Sequence, residues 1–97
     1  MLFEWDPNKE KLNQEKHGLS FEEAKDLFSS GADVLEIFDE EHSEDEDRLI
    51  AIGPIRLGVI VVIYTERTED VIRIISARRA TKKETMLYQQ HCGETDE

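Results

Sequence analysis

The residues best suited to chemistry in this sequence are arginines in its last third. They surround or lie within one strand-like apolar segment: Arg67, Arg73, Arg78 and Arg79. A guanidinium group inside a strand loses hydration and needs an anionic partner, which is either an internal carboxylate such as Glu84 or an external anion. Because guanidinium groups bind phosphate oxygens in a bidentate manner, several of them on one sheet surface would form an anion site.

Further cationic and aromatic groups follow in the last predicted helix. Lys82 and Lys83 at its start would extend the anion site, and the alternative is a solvated helix face. Tyr88 offers a ring on which a nucleic-acid base could stack. The alternative for Tyr88 is that its ring packs against the sheet.

A second group of polar residues lies near the N-terminus. Lys9, Asn13, Lys16 and His17 are spaced as neighbours on one face of a helix, so they form a single stripe. His17 lies at the predicted C-terminal end of this helix, where the helix dipole increases the basicity of an imidazole. The alternative is that His17 only caps the helix.

Several familiar kinds of site are absent from the sequence. It contains no phosphate-binding glycine loop, no nucleophile elbow, no His-Glu-x-x-His motif and no group of residues with metal-ligand spacing. The only cysteine is Cys92, which excludes an internal disulfide and a multi-cysteine zinc site. We therefore expect neither a metal nor a cofactor.

The charge of the chain is unevenly distributed. Its 97 residues include 12 Lys and Arg against 23 Asp and Glu, a net charge of −11. Seven of the carboxylates lie in the segment 39–47 and three in 94–97, whereas the segment 67–83 has a net charge of +4. The low pI therefore describes an acidic loop more than a functional face.

Hydrophobic periodicity and turn signals predict an α+β fold, with a small antiparallel sheet, two N-terminal helices and a C-terminal helix. Asp6-Pro7 and Ser20 with Glu23 are typical of helix starts, and Gly18 of a helix end. Gly53-Pro54 indicates a turn between two strands. The predicted strands are 2–5, 34–38, 48–52, 55–66 and 71–78, and the predicted helices are 8–17, 20–30 and 80–91.

On the last predicted strand, simple alternation places the arginines on different faces. Arg73 would share a face with Val71, Ile75 and Ala77. Ser76 and Arg78 would share the other face with Ile72 and Ile74.

We interpret residues 1–97 as one domain, with an acidic loop at 39–47 and a flexible tail at 92–97. The longest apolar run, Val59 to Tyr64, is far shorter than the roughly 20 residues of a membrane span. No secretory signal is visible at the N-terminus. We therefore expect a cytoplasmic protein that does not bind membranes.

Several segments of the sequence resemble the BrnT family of toxins from type II toxin–antitoxin systems. The resemblance spans residues 3–88 and implies a RelE-like ribonuclease fold and inhibition of translation by RNA cleavage. It also implies neutralisation by a BrnA-type antitoxin encoded alongside, through which alone the toxin would contact operator DNA. The segments are Phe3 to Lys9, Asn13, Lys16 to Ala24, Val62 to Arg67, Arg73 to Ala80, Glu84 and Tyr88.

The resemblance and the residue chemistry together suggest RNA cleavage without a metal. Arginines would stabilise the charge of the phosphorane, and His17 or Glu84 would transfer protons, with His17 favoured. The arginines in this role are Arg67, Arg78 and Arg79, and the expected RNA-binding residues are Lys9, Lys16, Arg73, Lys83 and Tyr88.

Two questions remain open at this point. The stripe on the first helix could bind either RNA or the antitoxin. The alternative function is a catalytically weak or inactive toxin-like binding module that acts only through its antitoxin, in which the acidic segment 39–47 would bind a basic partner. The simpler alternative is that this segment is a disordered, solvent-exposed loop without a partner.

Overall fold

The computed structural model describes residues 1–29, 31, 33–42, 47–68 and 70–95. Within them the chain is α+β, as predicted, with five strands and three α-helices. A short 3₁₀ turn, Glu40–His42, follows the second strand. The elements are β1 (Leu2–Glu4), α1 (Pro7–His17), α2 (Phe21–Ser29), β2 (Leu35–Asp39), β3 (Arg48–Ile55), β4 (Gly58–Thr68), β5 (Val71–Arg79) and α3 (Lys82–Thr95).

Both ends of α1 and the start of α2 have the capping residues that the sequence predicts, whereas the predicted end of the second helix at residue 30 lies outside the described residues. The side chain of Asp6 accepts a hydrogen bond from the backbone N–H of Asn8 at 2.9 Å, and Gly18 ends α1 in the left-handed conformation with φ 67°. Ser20 and Glu23 form a reciprocal capping box with two 3.0 Å hydrogen bonds. These local signals fix where α1 stops and where α2 begins.

The sheet is mixed, so the prediction of a purely antiparallel sheet is wrong. The strand order is β1-β5-β4-β3-β2, and the pairs from β2 through β5 are antiparallel. β1, however, pairs with β5 in the parallel direction. Two helices separate β1 from the other strands, so no hairpin sets its direction.

The predicted turn at Gly53-Pro54 is also wrong, because β3 continues to Ile55 and pairs with β4 along this length. Proline is tolerated here because the pairing of β2 ends at Ile52, which leaves no described strand on the other side of Pro54. A Cβ added at Gly53 would lie 2.7 Å from Leu27 Cδ1, so the buried Leu27 would have to shift to admit a larger residue there.

The main core lies between one face of the sheet and helix α2, together with Leu19 in the connection before α2. Phe28 of α2 contacts two other rings, Phe3 at 5.7 Å and Tyr64 at 5.0 Å between centroids. Helix α3 lies over the opposite face, where Ile52 and Val61 are also buried. In the part of the chain that the structure describes, none of the helices has the length and hydrophobicity of a membrane span.

Candidate active site

A β-bulge in β5 decides which side chains share a face. Ser76 pairs with Ile63, but Ile74 pairs with the next residue of β4, so Ile75 is an extra residue. The partners of Arg73, Ser76 and Arg78 are Thr65, Ile63 and Val61, which alternate regularly on one face of β4. Arg73, Ser76 and Arg78 therefore share the face opposite the main core, and the sequence-based separation of Arg73 from the other two is wrong.

Arg78 forms an ion pair with Glu84 at the start of α3. Two of its nitrogens donate to the two carboxylate oxygens at 2.7 and 2.8 Å. Glu84 also accepts from the backbone N–H of Thr81 at 2.8 Å, and its own N–H donates to the Thr81 hydroxyl at 3.2 Å. This capping box fixes the carboxylate where Arg78 can reach it.

The hydrogen bonds from Arg78, more than any other cause, lower the pKa of Glu84 from 4.5 to about 2. The same pair raises the pKa of Arg78. Both groups are therefore ionised at neutral pH, and Glu84 in this state holds no proton that it could give to a leaving group.

The other arginines have separate positions, so the expected gathering of four on one surface is wrong. Arg73 donates to Glu4 at 2.7 Å. Arg79 pairs with Ile60 on the face of the main core and donates to the carbonyl of Leu57 at 2.9 Å. Arg67 is exposed in β4 and has no partner among the described residues. Only Arg73 and Arg78 remain on one face with Ser76.

A cleft of about 210 Å³ lies between α1 and β5. None of the described residues that line it is acidic, and two lysines and a histidine contribute to it. Two residues at the bulge of β5 form its other wall. The structure therefore brings the stripe of α1 against β5, although the sequence alone could not establish this contact. The lining residues are Lys9, Leu12, Asn13, Lys16, His17, Ile75 and Ser76.

Asn13 holds this cleft together. Its amide nitrogen donates to the carbonyls of Leu19 and Ala77, both at 2.8 Å, and its amide oxygen accepts from the N–H of Ala77 at 3.1 Å. β1 pairs only with residues 71–73, so the Asn13 amide replaces a neighbouring strand at this part of β5. Sequence reasoning placed Asn13 in the stripe but missed this role; the available signal was an asparagine, a poor helix former, inside a helix.

The predicted RNA-binding residues of α3 lie outside the cleft. Lys83 is exposed, and the hydroxyl of Tyr88 donates to the carbonyl of Asp33 at 2.8 Å. Burial, with a contribution from Cys92, raises the pKa of Tyr88 to about 12. The hydrogen bond from Tyr88 joins α3 to the segment between α2 and β2.

Residues 5–84 match the family described as the ribonuclease toxin BrnT of type II toxin–antitoxin systems. The structure is similar to the crystal structure of the Brucella abortus ribonuclease toxin BrnT, with a TM-score of 0.63 and 31% sequence identity. The similarity covers 84% of this chain and 100% of the Brucella chain. No curated protein matches the sequence significantly.

Proposed function

We propose that this chain, which belongs to the BrnT family of ribonuclease toxins of type II toxin–antitoxin systems, cleaves RNA in the cleft between α1 and β5. The reaction needs no metal, and the cleavage inhibits translation. A BrnA-type antitoxin neutralises the activity and provides the only contact with operator DNA. The fold is a RelE-like variant, and the protein acts in the cytoplasm.

The observation that carries this proposal is the composition of the cleft. Lys9, Lys16 and His17 line the cleft together with the bulge residue Ile75 and its neighbour Ser76, and no described residue of the lining is acidic. A phosphodiester bound there would lie between two ammonium groups and an imidazole, in a chain whose net charge is −11. The cleft therefore offers local attraction to an anion that the molecule as a whole repels.

His17 is the proton-transfer residue in this proposal. Cleavage by the ribose 2′-hydroxyl requires removal of its proton, attack on phosphorus and protonation of the 5′-oxygen that leaves. An imidazole can perform either proton transfer near neutral pH. Glu84 has a different part, because its ionised carboxylate positions the guanidinium of Arg78.

Arg73 and Arg78 bind the RNA backbone on the face next to the cleft. Both share this face with Ser76, which also lines the cleft. Lys83 contacts the RNA only outside the cleft. In this proposal Arg67 and Arg79, which do not line the cleft, take no part in the reaction, and Tyr88 has a structural role.

Expression in a bacterial host tests the proposal. The wild-type chain should arrest growth, and the purified protein should cleave RNA in the presence of EDTA. His17→Ala and Arg78→Ala should abolish both effects while their thermal transitions remain cooperative. His91→Ala and Arg56→Ala are matched controls outside the cleft and should behave as wild type. Full cleavage by His17→Ala would contradict the assignment.

The second candidate function is an inactive binding module. The observation that favours it is that Arg78 is already paired with a carboxylate. In this case expression of the wild-type chain without an antitoxin would be harmless, and no RNA cleavage would be measured at any salt concentration.

A further inference from the structure

β2 forms an outer edge of the sheet. It is the last strand in the order β1-β5-β4-β3-β2, and no described strand pairs with its other side. An edge strand presents backbone N–H and C=O groups that can pair with another extended chain. The five residues of β2 provide an edge long enough to accept a short strand.

The edge also exposes large apolar side chains. Ile37 is 38% exposed and Phe38 is 48% exposed. Because they are consecutive residues of a strand, they lie on opposite faces of the sheet. A strand that pairs with β2 would therefore find apolar contacts on both faces of the sheet.

The charge around this edge selects among possible occupants. The segment from Leu35 to His42 contains four carboxylates and no Lys or Arg. Asp39 faces Arg48 in the register of the sheet, whereas Glu36, Glu40 and Glu41 are exposed. These carboxylates repel RNA. A second copy that paired edge to edge would bring the same carboxylates together.

We infer that β2 is the docking edge for an extended segment of the antitoxin, rich in basic and apolar residues, that adds to the sheet as a further strand. This inference rests on the proposed function, because it takes the antitoxin of a type II toxin as the occupant. The basic residues complement the exposed carboxylates, and the apolar residues cover Ile37 and Phe38. Two strands lie between β2 and β5, so the docking edge is about 14 Å from β5.

This separation means that docking and catalysis use different residues. Substitutions at the edge should therefore weaken the antitoxin complex and leave RNA cleavage by the free toxin unchanged. In a cell, such a variant would arrest growth even when the antitoxin is present.

The experiment uses the full chain and the protein encoded by the gene adjacent to the toxin gene. Hydrogen exchange of the β2 amides is measured with and without this protein, and its affinity is measured for Ile37→Lys and Phe38→Lys. The matched control is Leu57→Lys, since Leu57 is 43% exposed and lies at the turn after β3. A double variant, Glu40→Lys with Glu41→Lys, tests the charge without altering β2 itself.

We expect the β2 amides to be protected in the complex and the edge variants to bind about tenfold or more weakly than Leu57→Lys. Unchanged exchange of β2 in the complex, or equal affinities of all variants, would overturn the inference. So would protection of β2 by self-association of the free chain, or loss of RNA binding in the edge variants. If the free chain does not cleave RNA but the β2 amides are still protected in the complex, the proposed function is refuted. The inference that β2 is the docking edge is then still supported.

Discussion

At the scale of single residues, Thr65 has an unusual environment. Its side chain is 1% exposed, and its hydroxyl has no hydrogen-bond partner among the described residues. It lies opposite Arg73 on the face that also carries Ser76 and Arg78. A buried hydroxyl without a partner loses its hydrogen bonds to water and forms none in the protein, so its burial destabilises the folded state.

Thr65→Val should therefore stabilise the protein. The change keeps the shape of the side chain and removes the unpaired hydroxyl, so the free energy of unfolding should rise by about 1 kcal/mol. Chemical denaturation measures it, with Thr68→Val at the exposed end of β4 as the control. A lower stability of Thr65→Val would contradict the unpaired state of this hydroxyl.

The ion pair of Arg78 and Glu84 predicts a dependence of stability on pH. Pairing lowers the pKa of Glu84 from 4.5 to about 2. The ion pair therefore stabilises the folded protein fully at pH values above 4.5, and this stabilisation is lost as the pH falls through the folded-state pKa of about 2. Wild type should therefore be more stable than Glu84→Gln at neutral pH, and the difference should shrink between about pH 4.5 and 2.

Denaturant titrations of both proteins across this range measure the difference. Glu22→Gln is the control, because Glu22 forms an exposed ion pair with Lys25 at 3.1 Å. Exposed ion pairs contribute little to the free energy of unfolding, so Glu22→Gln should destabilise the protein less than Glu84→Gln does at neutral pH. A difference between wild type and Glu84→Gln that stays constant with pH would contradict the assigned ion pair.

At the scale of elements, local signals were predictable and non-local ones were not. Both ends of α1 and the start of α2 follow from capping residues within a few positions of each other. The bulge at Ile75 and the parallel pairing of β1 depend on residues far away in the chain. For the same reason, the sequence yielded the stripe of α1 but not the cleft that it forms with β5.

Asn13 provides the test of how α1 is attached to β5. In Asn13→Asp, a carboxylate would face the carbonyls of Leu19 and Ala77, to which the amide now donates. The free energy of unfolding should fall by about 2–3 kcal/mol at pH 7, and by less at pH 4, where a protonated carboxyl can donate again.

Asn8→Asp is the matched control, since it makes the same change on the same helix at an exposed position. Its effect should remain within about 0.5 kcal/mol. Hydrogen exchange of the Ala77 amide gives a local measurement, because this N–H donates to the side chain of Asn13. Equal stability of the two variants would show that Asn13 does not anchor α1.

At the scale of the whole molecule, the charge distribution separates two surfaces. The sequence predicted a polarised molecule from its acidic segment 39–47 and its basic segment 67–83. The structure places β2 and the turn Glu40–His42, which include the first residues of this acidic segment, at one edge of the sheet, and β5 on the other side of β3 and β4. What the sequence could not show is that α1 supplies the cations of the cleft.

The net charge of −11 should slow the encounter with RNA. Replacing Glu44, Asp45 and Glu46 by their amides, or Glu94, Asp96 and Glu97 by theirs, removes three negative charges in each case. If repulsion by the whole molecule limits encounter, both triple variants should have a higher kcat/KM for RNA than wild type at low ionic strength. The gain should vanish in about 0.5 M salt, where the Debye length is only a few ångströms. An unchanged kcat/KM in both variants at low salt would show that the cleft alone governs the approach of RNA.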